Sequence, residues 1–154
     1  MDAADTTASS TETVRGLWAA LSRRDWDAVA GHIAPDGIYI DVPVGPTAAA
    51  RGPIDVVKRL RIGLEPLADY RNHEGLLVAD GEVVMYEHAE TWTFAGGEVV
   101  ELPFVSVHRV RDGRITLWKD YWDFGSVVNA APSGWLEGLA EADMSWMFDA
   151  TGLV

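Results

Sequence analysis

The sequence predicts an α+β domain in which N-terminal helices pack on one face of a strongly curved, mixed or antiparallel sheet. Three observations carry this. The chain opens with two stretches whose apolar residues recur at helical spacing, and a short β-branched run and a third helical stretch follow. Then, from Leu67 to Asp123, four strand-like runs are separated by Asp80-Gly81, Gly96-Gly97 and Asp112-Gly113, dipeptides of the kind that close hairpins. A sheet curved this way can form a cone around a hydrophobic cavity.

Each element has a local reason. Residues 1–10 are small and polar and read as a disordered tail. Ser9 with Glu12 resembles a capping box, and Val14, Leu17, Trp18 and Leu21 continue a first helix to about Arg24. Asp25 caps a short second helix bearing Trp26, Val29, Ala30 and Ile33. Ile38 to Val42 is a short strand stopped by Pro43, and a loose stretch, Gly45 to Gly52, follows. Pro53 then starts a third helix, with Ile54, Val57 and Leu60, running to about Gly63. After the four-strand meander the chain turns helical again beyond Phe124. The domain is expected over residues 11–130, with 131–154 a Trp-rich helical extension that acts as a lid or as a dimer contact.

Composition narrows the function. The chain has 154 residues, enough for one domain with a real core, and its 48% apolar and 23% charged residues are ordinary globular values. Twelve basic against twenty-four acidic side chains give a net charge of −12, which disfavours nucleic acid and anionic membranes as partners. No cysteine is present, so thiol catalysis, disulfides and cysteine-ligated metal are excluded. No apolar run is long enough to span a bilayer and the first residues do not read as a signal peptide, so a cytoplasmic protein is expected.

Strand alternation selects the inward polar groups. Tyr86, His88, Glu90, Trp92 and Phe94 share one face. Trp118, Asp120 and Trp122 share another, which places a carboxylate between two indoles, and Tyr39 and Asp41 share a third. Burying a charge costs several kcal/mol unless it is paired, so three acidic side chains in apolar surroundings suggest one shared cavity. If Asp41, Glu90 and Asp120 converge, repulsion and desolvation raise at least one pKa and supply a neutral acid beside an ionised base. Plainer roles fit each residue alone: a loop cap or ion pair for Asp120, a core histidine for His88, a solubilising edge charge for Glu90, a core aromatic for Tyr39. His32, His73 and His108 read as surface residues. No spacing calls for metal, although His88 and Glu90 could supply two ligands. The absence of GxGxxG, GxxxxGK[ST] and GxSxG leaves no support for a nucleotide cofactor or a serine hydrolase. No cofactor is expected.

The element order, Tyr39-Ile40-Asp41-Val42-Pro43, the Ala50-Arg51-Gly52 turn into a helix, and Trp118-Lys119-Asp120-Tyr121-Trp122-Asp123 resemble the limonene-1,2-epoxide hydrolase and SnoaL-like polyketide cyclase group. That resemblance covers roughly Thr11 to Phe124 and implies the cone-shaped barrel of nuclear transport factor 2-like proteins. It further implies that Asp120 is the base that activates water, Glu90 the acid that protonates an epoxide oxygen, and Tyr39 a holder of that water. The sequence departs from the pattern twice: Asp41 stands where the hydrolases have Asn, and His88 stands where they have an Arg bridging the two carboxylates. A histidine can bridge through its two ring nitrogens, but it titrates near neutrality.

The resulting expectation is a cofactor-independent enzyme that opens an epoxide with water. Its ligand would be a hydrophobic small molecule held by Trp92, Trp118, Trp122, Tyr86 and Phe104. Two alternatives stand beside it: cyclisation or isomerisation of a ketone by the same acid and base, and a non-catalytic binder of hydrophobic ligands. The resemblance also implies a homodimer.

Overall fold

The computed structural model describes residues 2–154. Helices α1 (Ala3–Ser22) and α2 (Trp26–Gly31) lead into strand β1 (Ile33–Asp41), followed by β2 (Ala49–Arg51) and helix α3 (Gly52–Leu64). Strands β3 (Asp69–Asp80), β4 (Val83–Thr93), β5 (Val99–Arg111) and β6 (Arg114–Tyr121) form the meander. Helices α4 (Phe124–Ala130) and α5 (Trp135–Ala140) and strand β7 (Met147–Phe148) end the chain.

The seven strands lie in the order β3-β4-β5-β6-β1-β2-β7, with β1 parallel to β6 and every other pairing antiparallel. The mixed sheet is open, ending at β3 and β7. The predicted dipeptides fall at the β3–β4, β4–β5 and β5–β6 turns, although Asp80 is still paired with Val83, so that Gly81 and Glu82 make the first turn, and the second centres on Ala95 and Gly96. At the last of these Asp112 and Gly113 have φ of 51° and 70°, the left-handed pair that a two-residue type I′ turn requires. Helices α1 and α3 pack over the concave face, with Val14, Leu17, Trp18, Leu21, Val56, Leu60 and Leu64 buried. Gly52 makes the turn into α3 at φ +79°, where a Cβ would stand 2.8 Å from the Pro35 carbonyl oxygen. Among the described residues no helix is long and apolar enough to cross a membrane.

Several local expectations change. Met1 lies outside the described residues, but the rest of the predicted tail is helical: Asp2, not Ser9, caps α1 by accepting from the Asp5 N–H at 2.9 Å. The Thr7, Thr11 and Thr13 hydroxyls donate to carbonyls four residues back, and Thr7 Oγ1 also accepts from the Gly81 N–H at 2.9 Å, which ties this end to the β3–β4 turn. Strand β1 begins five residues earlier than expected because a register shift between Ile33 and Ile38 hides its alternation. The stretch before α3 contains β2, and the last apolar run, read as helical, supplies β7 instead, paired to β2 through Ala49–Phe148 and Ala50–Met147.

Candidate active site

Register brings the acidic residues to one end of the sheet. Asp41 and Asp120 are partners on the parallel strands β1 and β6, Ser106 on β5 faces Asp120, and Glu90 on β4 lies beside Asn72 on β3. Asp41, Glu90 and Asp120, each at most 5% exposed, line one cleft together with Tyr39 and Arg59. Its apolar wall includes Trp18, Leu60, Trp92, Phe104, Trp122 and Trp135. Three carboxylates from three strands thus share a largely apolar hollow, with a few polar groups converging in an apolar wall as in small-molecule sites.

Each acid has its own donors. Asp120 accepts from Ser106 Oγ (2.6 Å) and the Trp118 indole N–H (2.6 Å) on Oδ1, and its Oδ2 is 3.1 Å from the Tyr39 hydroxyl. Glu90 accepts from the Tyr70 hydroxyl at 2.8 Å and the Trp92 indole N–H at 2.7 Å. Asp41 accepts from the Tyr39 hydroxyl at 2.8 Å and the Trp122 indole N–H at 3.0 Å, and forms an ion pair with Arg59 of α3. The Arg59 guanidinium in turn lies under the Trp146 ring, 5.4 Å from its centroid.

Electrostatics separates the roles. Burial, opposed by the Trp92 and Tyr70 hydrogen bonds and reinforced by the charges of Asp120 and Asp41, pushes Glu90 up to about 8. Burial and then the charge of Asp41 push Asp120 up to about 7, against the hydrogen bonds from Ser106, Trp118 and Tyr39. Tyr39 has one hydroxyl proton and two carboxylate neighbours, so both contacts are good hydrogen bonds only when one carboxylate brings a proton of its own. Near neutral pH the cleft therefore holds a protonated Glu90 beside an Asp120 poised between its ionised and protonated forms.

The structure brings Asp120, Glu90, Tyr39 and Asp41 together as the sequence suggested, with Trp92, Phe104 and Trp122 on the cleft wall. Four assignments change. Trp118 is fully buried beneath Asp120 and holds it by its indole, so it is no part of the ligand surface. Tyr86 turns toward a second cavity on the α1 side. His88 does not bridge the carboxylates: its nitrogens meet Asn72 Oδ1 at 2.7 Å and Ser106 Oγ at 2.9 Å, and it reaches Asp120 only through Ser106. Burial, then the neighbouring His108, lowers its pKa to about 3. His108 is itself fully buried rather than exposed, accepting from the Trp18 indole N–H at 3.2 Å. Ser106, Tyr70, Asn72 and Arg59 were not foreseen. For Ser106 the signal was present, since it stands at an inward position of β5 between Phe104 and His108.

Residues 8–133 match the family described as the limonene-1,2-epoxide hydrolase catalytic domain. The chain is 31% identical over 106 residues to the epoxide hydrolase EphG of Mycobacterium tuberculosis, an alignment covering 68% of this chain and 66% of that protein, just under two thirds of its length. Its fold matches that of an LEH-like epoxide hydrolase from M. tuberculosis with a TM-score of 0.68 and 27% identity, covering 87% of this chain and 94% of the other. A protein of ketosteroid isomerase-like fold from Catenulispora acidiphila, solved with trimethylamine, matches at a TM-score of 0.70 and 21% identity over 78% of this chain and 92% of that one, a likeness of fold alone.

Proposed function

Because this chain belongs to the limonene-1,2-epoxide hydrolase family, we propose that it opens the epoxide of a compact hydrophobic molecule with water, without a cofactor. The observation that carries this reading is the placing of Glu90 and Asp120 in one cleft with values of about 8 and about 7, one on the acid and one on the base side of the chemistry. Glu90 donates its proton to the epoxide oxygen as the C–O bond breaks. Ionised Asp120 takes a proton from a water whose oxygen attacks the ring carbon, and the product is a vicinal diol. Tyr39 and Asp41 hold that water, and Arg59 balances the charge that Asp41 adds where the family has Asn. Trp92, Phe104 and Trp122 bind the hydrocarbon part of the substrate.

The test is diol formation from limonene-1,2-epoxide and cyclohexene oxide in H₂¹⁸O by wild type, Asp120→Asn and Glu90→Gln. We expect one labelled oxygen per diol from the wild type and losses of about 100- to 10,000-fold in the variants. Rates indistinguishable from buffer for all three would refute it. The departures at Asp41 and His88 favour a second reading, proton transfer next to a ketone carbonyl, which deuterium exchange into a cyclic enone would reveal. The reading includes a cytoplasmic homodimer formed through the outer sheet face, where Val83, Met85, Val105 and Tyr121 are exposed, and sizing in solution tests the dimer.

A further inference from the structure

The epoxide reading leaves a proton to account for. Each turnover ends with the water's proton on Asp120 and with Glu90 ionised, and neither acid hydrogen-bonds the other. Behind Asp120, away from the cleft, four neighbouring strands carry a zigzag row of polar side chains: Asp120 on β6, its register partner Ser106 on β5, His88 on β4 and Asn72 on β3, the last two steps running diagonally, two residues off the register. The steps along it are 2.6, 2.9 and 2.7 Å. Ser106 is fully buried and His88 is 4% exposed, and neither lines the cleft.

The imidazole cannot turn freely. Tyr86 stacks on it at 4.6 Å and 14°, Phe104 at 5.2 Å and 19°, and Trp18 leans on it at 4.2 Å. One nitrogen is therefore kept at Ser106 and the other at Asn72. Asn72 and Tyr86 border the second cavity, whose rim includes the exposed Arg15 and Glu74. The row thus leads from the buried base to a second opening beside α1, separated from the substrate cleft by Trp18.

We propose that Ser106 and His88 discharge Asp120 after each turnover, carrying its proton to water in the second cavity without crossing the substrate cleft. The inference rests on the hydrolase reading. As Asp120 gives its proton to Ser106 Oγ, the Ser106 hydroxyl proton passes to His88 Nε2, and when the Asn72 amide swings off Nδ1 the imidazolium so formed loses its Nδ1 proton to water entering from the second cavity that Asn72 borders. Glu90 takes a proton from solvent through the open cleft, and the site is restored with no net change in protons. A neutral ring in so apolar a setting passes a proton on rather than keeping it. Asp120 ionised and Asp120 protonated correspond to the two directions in which the row's hydrogen bonds run, the Asn72 amide turning over between them.

Rapid-quench measurements on wild type, Ser106→Ala and His88→Ala with excess limonene-1,2-epoxide test this. In the variants we expect a burst of one diol per site, followed by a steady rate about 100-fold below that of the wild type. Imidazole restores the steady phase of His88→Ala but not of Ser106→Ala. Loss of rate in a single phase, without burst or rescue, would assign both residues a structural role and overturn the relay, as would unchanged steady rates. Should His88→Ala not fold, His88→Gln is read by the same burst. A wild type that forms no diol defeats the hydrolase reading itself, a result distinct from an active wild type whose variants show no burst.

Discussion

Arg59 of α3 forms an ion pair with Asp41 at the end of β1, joining the helical layer to the sheet at the edge of the cleft. Asp41 is 5% exposed, and its neighbour across the parallel ladder is another acid, Asp120. Removing the guanidinium leaves a buried carboxylate with no counterion. Arg59→Met is expected to cost about 3–5 kcal/mol in urea unfolding, whereas Asp41→Asn with Arg59→Met recovers most of it because the charge goes with its partner. A double variant as unstable as Arg59→Met alone would mean that packing under Trp146, not charge balance, is what Arg59 provides.

The pair Asp120 and Glu90 sets a narrow pH window. The proposed reaction needs Asp120 ionised, so kcat/KM is expected to rise as pH passes about 7, and it needs Glu90 protonated, so kcat/KM is expected to fall beyond about 8. A bell between these limits is expected for the wild type. In Glu90→Gln the small residual activity loses its alkaline limb and keeps the acid one. A profile flat from pH 6 to 9 would dissociate these two groups from the reaction.

The first-order layout was legible because strand alternation is strict where a sheet has one buried face. Every second side chain from Tyr86 to Phe94 is inward, which put Glu90 and His88 on the concave side without any structure. The same parity in β5 buries Val100, Leu102, Phe104, Ser106, His108 and Val110, so the two polar members of that row were readable by an argument applied to β4. Arg59 is different. It lies beside buried Leu60 on a helix whose other basic residues point outward, and only the packing of α3 on β1 gives it Asp41 as a partner. The pairing of Met147 and Phe148 with β2 also depends on the fold, since two residues are too few to show a period. His88 was placed on the correct face but given the wrong partners, because alternation fixes the side of a strand and not which neighbour a ring nitrogen meets.

Holding acids with raised pKa values costs stability. Glu90 and Asp120 bind their protons more tightly in the folded chain than their ordinary values of 4.5 and 3.8 would allow. Their stabilising contribution is therefore complete below those ordinary values and is lost as pH rises through about 7 and about 8. The buried His108, held down to about 4, acts in the opposite sense, costing stability as pH falls from 6.5. That second effect is common to wild type and Glu90→Gln and cancels in their difference. Glu90→Gln is expected to match the wild-type Tm at pH 4 and to exceed it by about 3–6 °C at pH 9. A constant difference across that range would mean that Glu90 does not change its charge between the folded and unfolded chain.

Helix α5 borders the cleft with little holding it in place. Trp135 and Leu139 line the cavity, yet none of the helix's residues is fully buried, and Gly134 at its start gives no side-chain cap. Its anchorage is aromatic: Trp135 meets Phe94 edge-on at 6.1 Å and Phe124 at 6.3 Å. A residue that covers an apolar substrate contributes to binding through the area it buries, on the order of 1.5–3 kcal/mol for a large side chain, and has little leverage on the acid and base. Trp135→Ala is therefore expected to raise KM for an apolar epoxide about tenfold while changing kcat by less than about threefold. Leu136→Ala, on the exposed side of the same helix, leaves both constants unchanged. Equal effects from the two substitutions would show that α5 acts through the stability of the chain's end rather than as a cover over bound substrate, and a fall in kcat alone at Trp135 would instead implicate closure of the helix in the chemical step.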